Sequence, residues 1–143
     1  MSKKSIIKKT KEMHRISVPI YRDTMNLFFG TLDEAIDAAV NDGINRDAAE
    51  YAFAKKKFVN GRFRFIPDYC YWVILLPEVP ESIAQFGTMV HELEHFVFFF
   101  LKERGMEHVA ESDEAYAYLF EYMYCESMRI INELKERKDG ERG

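Results

Sequence analysis

Five consecutive residues, His91-Glu92-Leu93-Glu94-His95, carry the most specific chemistry in this chain. On a helix, positions four apart lie about 40° apart in projection, so His91 and His95 leave from one face and can share a metal ion. Zinc takes imidazole nitrogens at about 2.0–2.1 Å, a reach that two histidines one turn apart can meet. Glu92 falls on the flank of that face, where a carboxylate can hold a metal-bound water and accept its proton. Given the chain's own His and Glu content, the pattern arises by chance in about 1% of such sequences. The surrounding residues, Met89, Val90, Phe96, Val97, Phe98 and Phe99 among them, are apolar almost all round the helix, which predicts that it is buried. Buried imidazoles and carboxylates are costly unless satisfied, and a divalent cation satisfies them. Glu94 projects away from Glu92 and reads as a structural hydrogen-bonding or ion-pairing group, and Thr88 as a hydroxyl bonded to a backbone carbonyl.

A catalytic zinc takes three protein ligands and keeps a position for water. His14 and His108 have no spacing that recommends them. An acid on the last predicted helix does better: Glu114, in Ser112-Asp113-Glu114-Ala115-Tyr116-Ala117-Tyr118, which a helix–turn–helix hairpin can bring back beside the motif. Glu121 and Glu111 compete for the same role. A first-turn carboxylate also has an ordinary account, stabilisation by the helix dipole worth about 0.3–1 kcal/mol. Glu114, Tyr118, Glu121 and Cys125 recur at helical spacing and share one face, so Tyr118 or Glu121 could orient a ligating histidine. A hydroxyl of Tyr116, Tyr118, Tyr122 or Tyr124 could equally stabilise an oxyanion, with ring packing as the simpler role of each. Cys70 and Cys125 read as small buried hydrophobes.

The elements that must position these groups follow from patterning. Ile16 to Tyr21 alternates as a short strand, placed at an edge by Pro19. Met25 to Phe29 forms another, and Thr31 with Glu34 makes a capping box opening a helix from Leu32 to about Asn41. Ala49 to Phe58 fits helix or strand. Asn60-Gly61 signals a tight turn before the alternating Arg62-Phe63-Arg64-Phe65-Ile66, and Cys70 to Leu76 is the strongest strand, the end of a hairpin or meander. Ser82 and Gln85 form a second capping box for a helix reaching about Arg104, closed by Gly105. A final helix runs from Ser112 or Asp113 to about Arg137. No internal repeat is visible. The expected layout is a basic arm over 1–15, one domain over 16–137 and a frayed charged tail over 138–143, in the α+β class.

Composition bounds the rest. With 143 residues, 48% hydrophobic and 31% charged, the chain suits one soluble globular domain, and 15% aromatic residues predict a core dominated by ring packing. A net charge of -4 argues against a nucleic-acid partner. The longest apolar run, Phe96 to Leu101, is far short of the roughly 20 residues needed to cross a bilayer. Two cysteines are too few for a disulfide framework, and no apolar segment follows the basic N-terminal stretch as in a secretory signal, so a cytoplasmic setting is expected.

His91-Glu92-x-x-His95 followed by Asp113-Glu114-Ala115 resembles the zincin metallopeptidases, in the gluzincin arrangement. Their third ligand is a Glu in a helical segment that usually begins Asn-Glu, and Asp113 stands here in the place of that Asn. The compact order of strand, connector, Gly87-Thr88-x-x-His91-Glu92 helix and Glu114-Ala115-Tyr116-Ala117-Tyr118 helix is similar to small phage- and prophage-encoded metallopeptidases, over about residues 70 to 125. The resemblance implies a minimal zincin-like domain: a small N-terminal mixed or antiparallel sheet, an active-site helix and a C-terminal helix. It implies Zn2+ held by His91, His95 and Glu114, Glu92 as general base, and a peptide or protein substrate, in the host cytoplasm if the chain is phage-encoded. In zincins an edge strand often aligns the substrate, a role open here to Cys70 to Leu76 or its hairpin partner. The alternatives are a non-catalytic, metal-stabilised binding or regulatory protein of the same fold, and an aromatic-rich interaction protein without metal.

Overall fold

Strand β1 (His14–Val18) turns through a 3-10 segment, Pro19–Tyr21, into strand β2 (Asp23–Phe29), and the two pair antiparallel with Ile16 opposite Met25. Helices α1 (Leu32–Asn41) and α2 (Arg46–Ala54) follow, then strand β3 (Arg62–Ile66), a second 3-10 turn at Pro67–Tyr69, and strand β4 (Tyr71–Leu76). Helix α3 (Ile83–Glu103) and helix α4 (Asp113–Gly140) complete the chain. The computed structural model describes residues 7–54 and 61–140. The class is α+β, with a four-stranded mixed sheet ordered β1-β2-β4-β3, in which only the central β2·β4 pair is parallel.

β4 holds the centre. All six of its residues, Tyr-Trp-Val-Ile-Leu-Leu, are buried, the pattern of a strand covered on both faces. Trp72, Ile74 and Leu76 face α3 and α4, while Tyr71, Val73 and Leu75 face α1 and α2. The aromatic core expected from composition is present on the α3 side: Phe65 stacks on Trp72 with centroids 3.8 Å apart, and Phe96 and Phe100 meet the same indole edge-on. Both capping boxes form as expected, Thr31 with Glu34 and Ser82 with Gln85, each satisfying two otherwise unpaired N–H groups. Gly105 takes φ +79°, the left-handed conformation that ends α3.

Several expectations shift. Pro19 fixes its φ and starts a 3-10 turn, so β1 runs His14–Val18 rather than Ile16 to Tyr21. The described part of the basic arm is tied to the body through its backbone, while Lys8, Lys9 and Lys11 stay exposed. Thr10 N donates to Phe29 O at 2.9 Å, Val79 N donates to Lys8 O at 2.6 Å, and Met13 is buried. Residues 8 and 10 thereby take up backbone groups at the ends of β2 and the connector after β4. Ala49 to Phe58 resolves to helix as far as Ala54, and Phe58 and Asn60 lie outside the described residues. α4 continues to Gly140, past the expected stop at Arg137, while 1–6 and 141–143 also lie outside the described residues.

A repeat is visible that the sequence reading lacks. Pro19 and Tyr21, followed by Arg22 at φ 53°, recur as Pro67 and Tyr69, followed by Cys70 at φ 48°. Each hairpin then leads to a capped helix, α1 on one face of the sheet and α3 on the other. Two strand–strand–helix units are thus related by a pseudo-two-fold along the strands, which is why β2 and β4 run parallel. Only the proline–tyrosine turn and the capping boxes survive in sequence, the helices and loops differing in length.

Asp23 joins three elements. Its Oδ2 accepts from the Trp72 indole at 3.1 Å and from Arg104 Nη2 at 2.7 Å, while Arg104 Nη1 donates to Phe100 O at 3.2 Å and the guanidinium lies 3.5 Å from the Phe100 ring centroid. Charged hydrogen bonds of this partly buried kind contribute about 1.5–3 kcal/mol. Asp23→Ala is therefore expected to lower unfolding free energy by about 2 kcal/mol in urea, and Arg104→Ala added to it should cost little more if the two act as one unit.

Candidate metal centre

His91 and His95 sit mid-way along α3, and both are exposed. Their Nε2 atoms stand 3.1 Å apart, with rings nearly perpendicular at 82°. Two nitrogens on one tetrahedral zinc stand about 3.3–3.4 Å apart. The two Nε2 atoms are within hydrogen-bond distance of each other, and the same spacing would let a divalent ion meet both. The expected face-sharing is therefore present.

The helix is not buried all round. The sheet takes Met89, Leu93, Phe96 and Phe100, and α4 takes Val97 and Leu101, but the histidines, Glu94, Phe98 and Phe99 remain exposed. The apolar count around the motif misleads because Phe98 and Phe99 stay 38% and 43% exposed. Desolvation of the histidines is consequently no argument for a metal here, and only their mutual geometry is. Thr88 Oγ1 donates to Ala84 O at 3.1 Å, as expected.

Glu92 has turned inward, 9% exposed, on the flank of α3 that meets β3. Among the described residues its carboxylate accepts no hydrogen bond. Arg64 on β3 senses its charge: burial and the charge of Arg62 pull the guanidinium below its usual range, with Glu92 pushing it back up. Arg64 Nη1 donates to Phe63 O at 2.9 Å and its Nε is buried without a partner. The sequence reading did not single out Arg64, although the Arg-Phe-Arg-Phe alternation already separates an aromatic face from a charged one. Phe63, on the aromatic face, stacks on Phe99 at 5.7 Å and brings β3 against α3.

Glu114 is not brought to the pair. α3 and α4 pack antiparallel, as Phe98 against Tyr116 and Lys135 over Phe86 show. Tyr116 thus stands level with Phe98, beyond His95 towards the hairpin. Glu114 is two residues closer still to the hairpin and about half a turn round the helix from Tyr116. The face shared by Glu114, Tyr118, Glu121 and Cys125 exists as expected, but it is the exposed one, opposite Tyr116, Met123 and Leu134. Glu111 is exposed in the 3-10 turn Ala110–Ser112. Among the described residues no third His, Cys, Asp or Glu joins the histidines. The cysteines correct a further expectation, both being exposed free thiols rather than buried hydrophobes.

Two of the tyrosines have structural contacts, while Tyr118 and Tyr124 are exposed. Tyr116 is buried, donates to Met106 O at 2.7 Å and stacks under His108 at 4.1 Å, and Tyr122 donates to Ser17 O at 2.9 Å. His108 Nε2 meets Asp113 Oδ1 at 2.9 Å and His14 Nε2 meets Thr10 Oγ1 at 3.0 Å, so neither reaches the pair. Towards the hairpin, between α3 and α4, lies a cavity of about 350 Å³ whose lining includes Glu94, Phe98, His108, Asp113 and Tyr116 but neither His91 nor His95. Among the described residues, no helix is long and apolar enough to cross a membrane.

No family model, curated protein or solved structure matches the chain.

The geometry yields an outcome for the ligand set. In a zinc titration followed by competition with a chromogenic chelator, His95→Ala is expected to weaken binding at least tenfold. Glu114→Ala should bind within twofold of the native chain, whereas a loss equal to that of His95→Ala would return Glu114 to the ligand set.

Proposed function

We propose that the chain is a zinc-dependent metallohydrolase, a minimal zincin-like peptidase cleaving the amide bond of a peptide or protein substrate. The observation that carries this is the His91–His95 pair, Nε2 to Nε2 3.1 Å, with the uncommitted Glu92 on the adjoining flank of the same helix. The residues fit two ligand positions. His91 and His95 would hold the ion, which when bound would polarise the scissile carbonyl and acidify its water.

This chain's own groups do the rest. Glu92 takes a proton from the attacking water and returns it to the leaving amine. Its burial and lack of a structural hydrogen bond leave the carboxylate free for that exchange. Among the described residues β3 is an edge strand, whereas β4 is enclosed between β2 and β3. Of the two candidates for aligning an extended substrate, the hairpin partner of Cys70 to Leu76 is therefore the available one. Two exposed thiols suit a reducing cytoplasm.

A second reading, a non-catalytic metal-binding or regulatory protein, draws on one observation: among the described residues no third ligand stands beside the pair. Glu92→Gln separates the two. Zinc-loaded protein is expected to release new amino termini from an unstructured peptide pool, and Glu92→Gln to lose about 100-fold or more in kcat/KM with zinc content unchanged. Equal, background-level release by both proteins, each carrying zinc, would establish the second reading instead.

A further inference from the structure

The histidine pair supplies two ligands where a closed zinc site takes four. Among the described residues the chain adds none, yet the pair is exposed on an outward stripe of α3 formed by Ala84, Gly87, His91, His95 and Phe98. That stripe has a shape. Ala84 and Gly87 leave it low on the N-terminal side of the histidines, and a Cβ added at Gly87 meets nothing within 4 Å. On the C-terminal side Phe98 and Phe99 stand up from it, 38% and 43% exposed.

A notch and a ridge on either side of one centre are self-complementary under a two-fold axis. The centre between His91 and His95 is Leu93. If two copies of α3 face each other antiparallel about that level, Phe98 of one copy comes over Gly87 and Thr88 of the other, and the reverse. The four imidazoles then converge on the axis. Glu94 of each copy falls on the same flank of the pair, so two carboxylates approach and oppose assembly driven by the aromatic contact alone.

We propose that zinc bridges two copies of this chain through His91 and His95 of each, in an antiparallel pairing of the α3 helices that requires the metal. Resting on the reading that the histidines bind zinc, this adds a regulation of that site. With four imidazoles bound, zinc keeps no position for water, so the bridged dimer is the latent form and the monomer the open one.

The test is sedimentation equilibrium of the full chain against added zinc, with zinc content measured in the same samples. The expected result is a doubling of mass that saturates at half an equivalent of zinc per chain and reverses with chelator. His91→Ala should remain monomeric throughout. Gly87→Leu fills the notch at a position open in the monomer, so it should fold with unchanged helix content and bind zinc, but need at least tenfold more protein to dimerise. A native chain that stays monomeric while binding one zinc would overturn the bridge and leave the hydrolase site standing. Absence of zinc binding would sink both. A dimer that persists in chelator or in His91→Ala would overturn the bridging role, and a Gly87→Leu chain that dimerises like the native one would overturn the antiparallel packing.

Discussion

The rotational setting of α3 decides what this protein can do, and Asp23 holds its C-terminal end. A carboxylate at the start of β2 accepts from the Trp72 indole on β4 and from the Arg104 guanidinium at the end of α3. Because Arg104 also sits over the Phe100 ring, 3.5 Å from its centroid, the helix cannot roll without breaking a charged hydrogen bond and a cation–π contact together. Phe96 and Phe100 against Trp72 fix the same angle through packing. With those two phenylalanines directed into the sheet, His91 and His95 are directed outward by helical geometry alone. Glu92, one residue on from His91, is then carried about 100° round to the β3 flank.

That separation sorts the motif into two environments. The imidazoles stay hydrated and able to take a metal from solution, and the carboxylate is partly withdrawn from water. Edge strand β3 meets α3 through the Phe63–Phe99 stack. Glu92 is a buried carboxylate that accepts no hydrogen bond among the described residues. Structural carboxylates elsewhere in the chain are used differently: Asp23, Asp42 and Glu34 are each bonded to a named donor.

Much of this was legible in the sequence, because the signals were local. Capping boxes, Gly105 and the alternation of β3 depend on neighbours within four residues, and the elements they predict formed close to the expected bounds. What was not legible depends on which face meets which. The six apolar residues from Phe96 to Leu101 read as a helix buried all round, whereas only two flanks of α3 find partners. Glu114, Tyr118, Glu121 and Cys125 were placed on one face correctly, but nothing local says whether that face turns inward. Met123, Leu134 and Tyr116 decide it by packing on the opposite side. The hairpin repeat is not legible in sequence because it lies in turn geometry, through Pro19 and Pro67, and not in side-chain pattern.

The consequence for metal chemistry is a matter of counting donors. An i, i+4 pair on a rigid helix costs little to bring together, since α3 is already formed and its rotation fixed, so the two imidazoles can act as one bidentate site. Two ligands hold zinc loosely, and the remaining positions go to whatever donor arrives: water, a substrate carbonyl or another imidazole. Had Glu114 been placed beside the pair, the third position would be filled from within and the site would be committed to one open position. With the Glu114 face of α4 turned to solvent, a metal held by the pair would take its remaining ligands from outside the chain. On the proposed reading, the same two histidines would serve both an open site on the chain and a closed one between copies, with the balance set by zinc relative to chain.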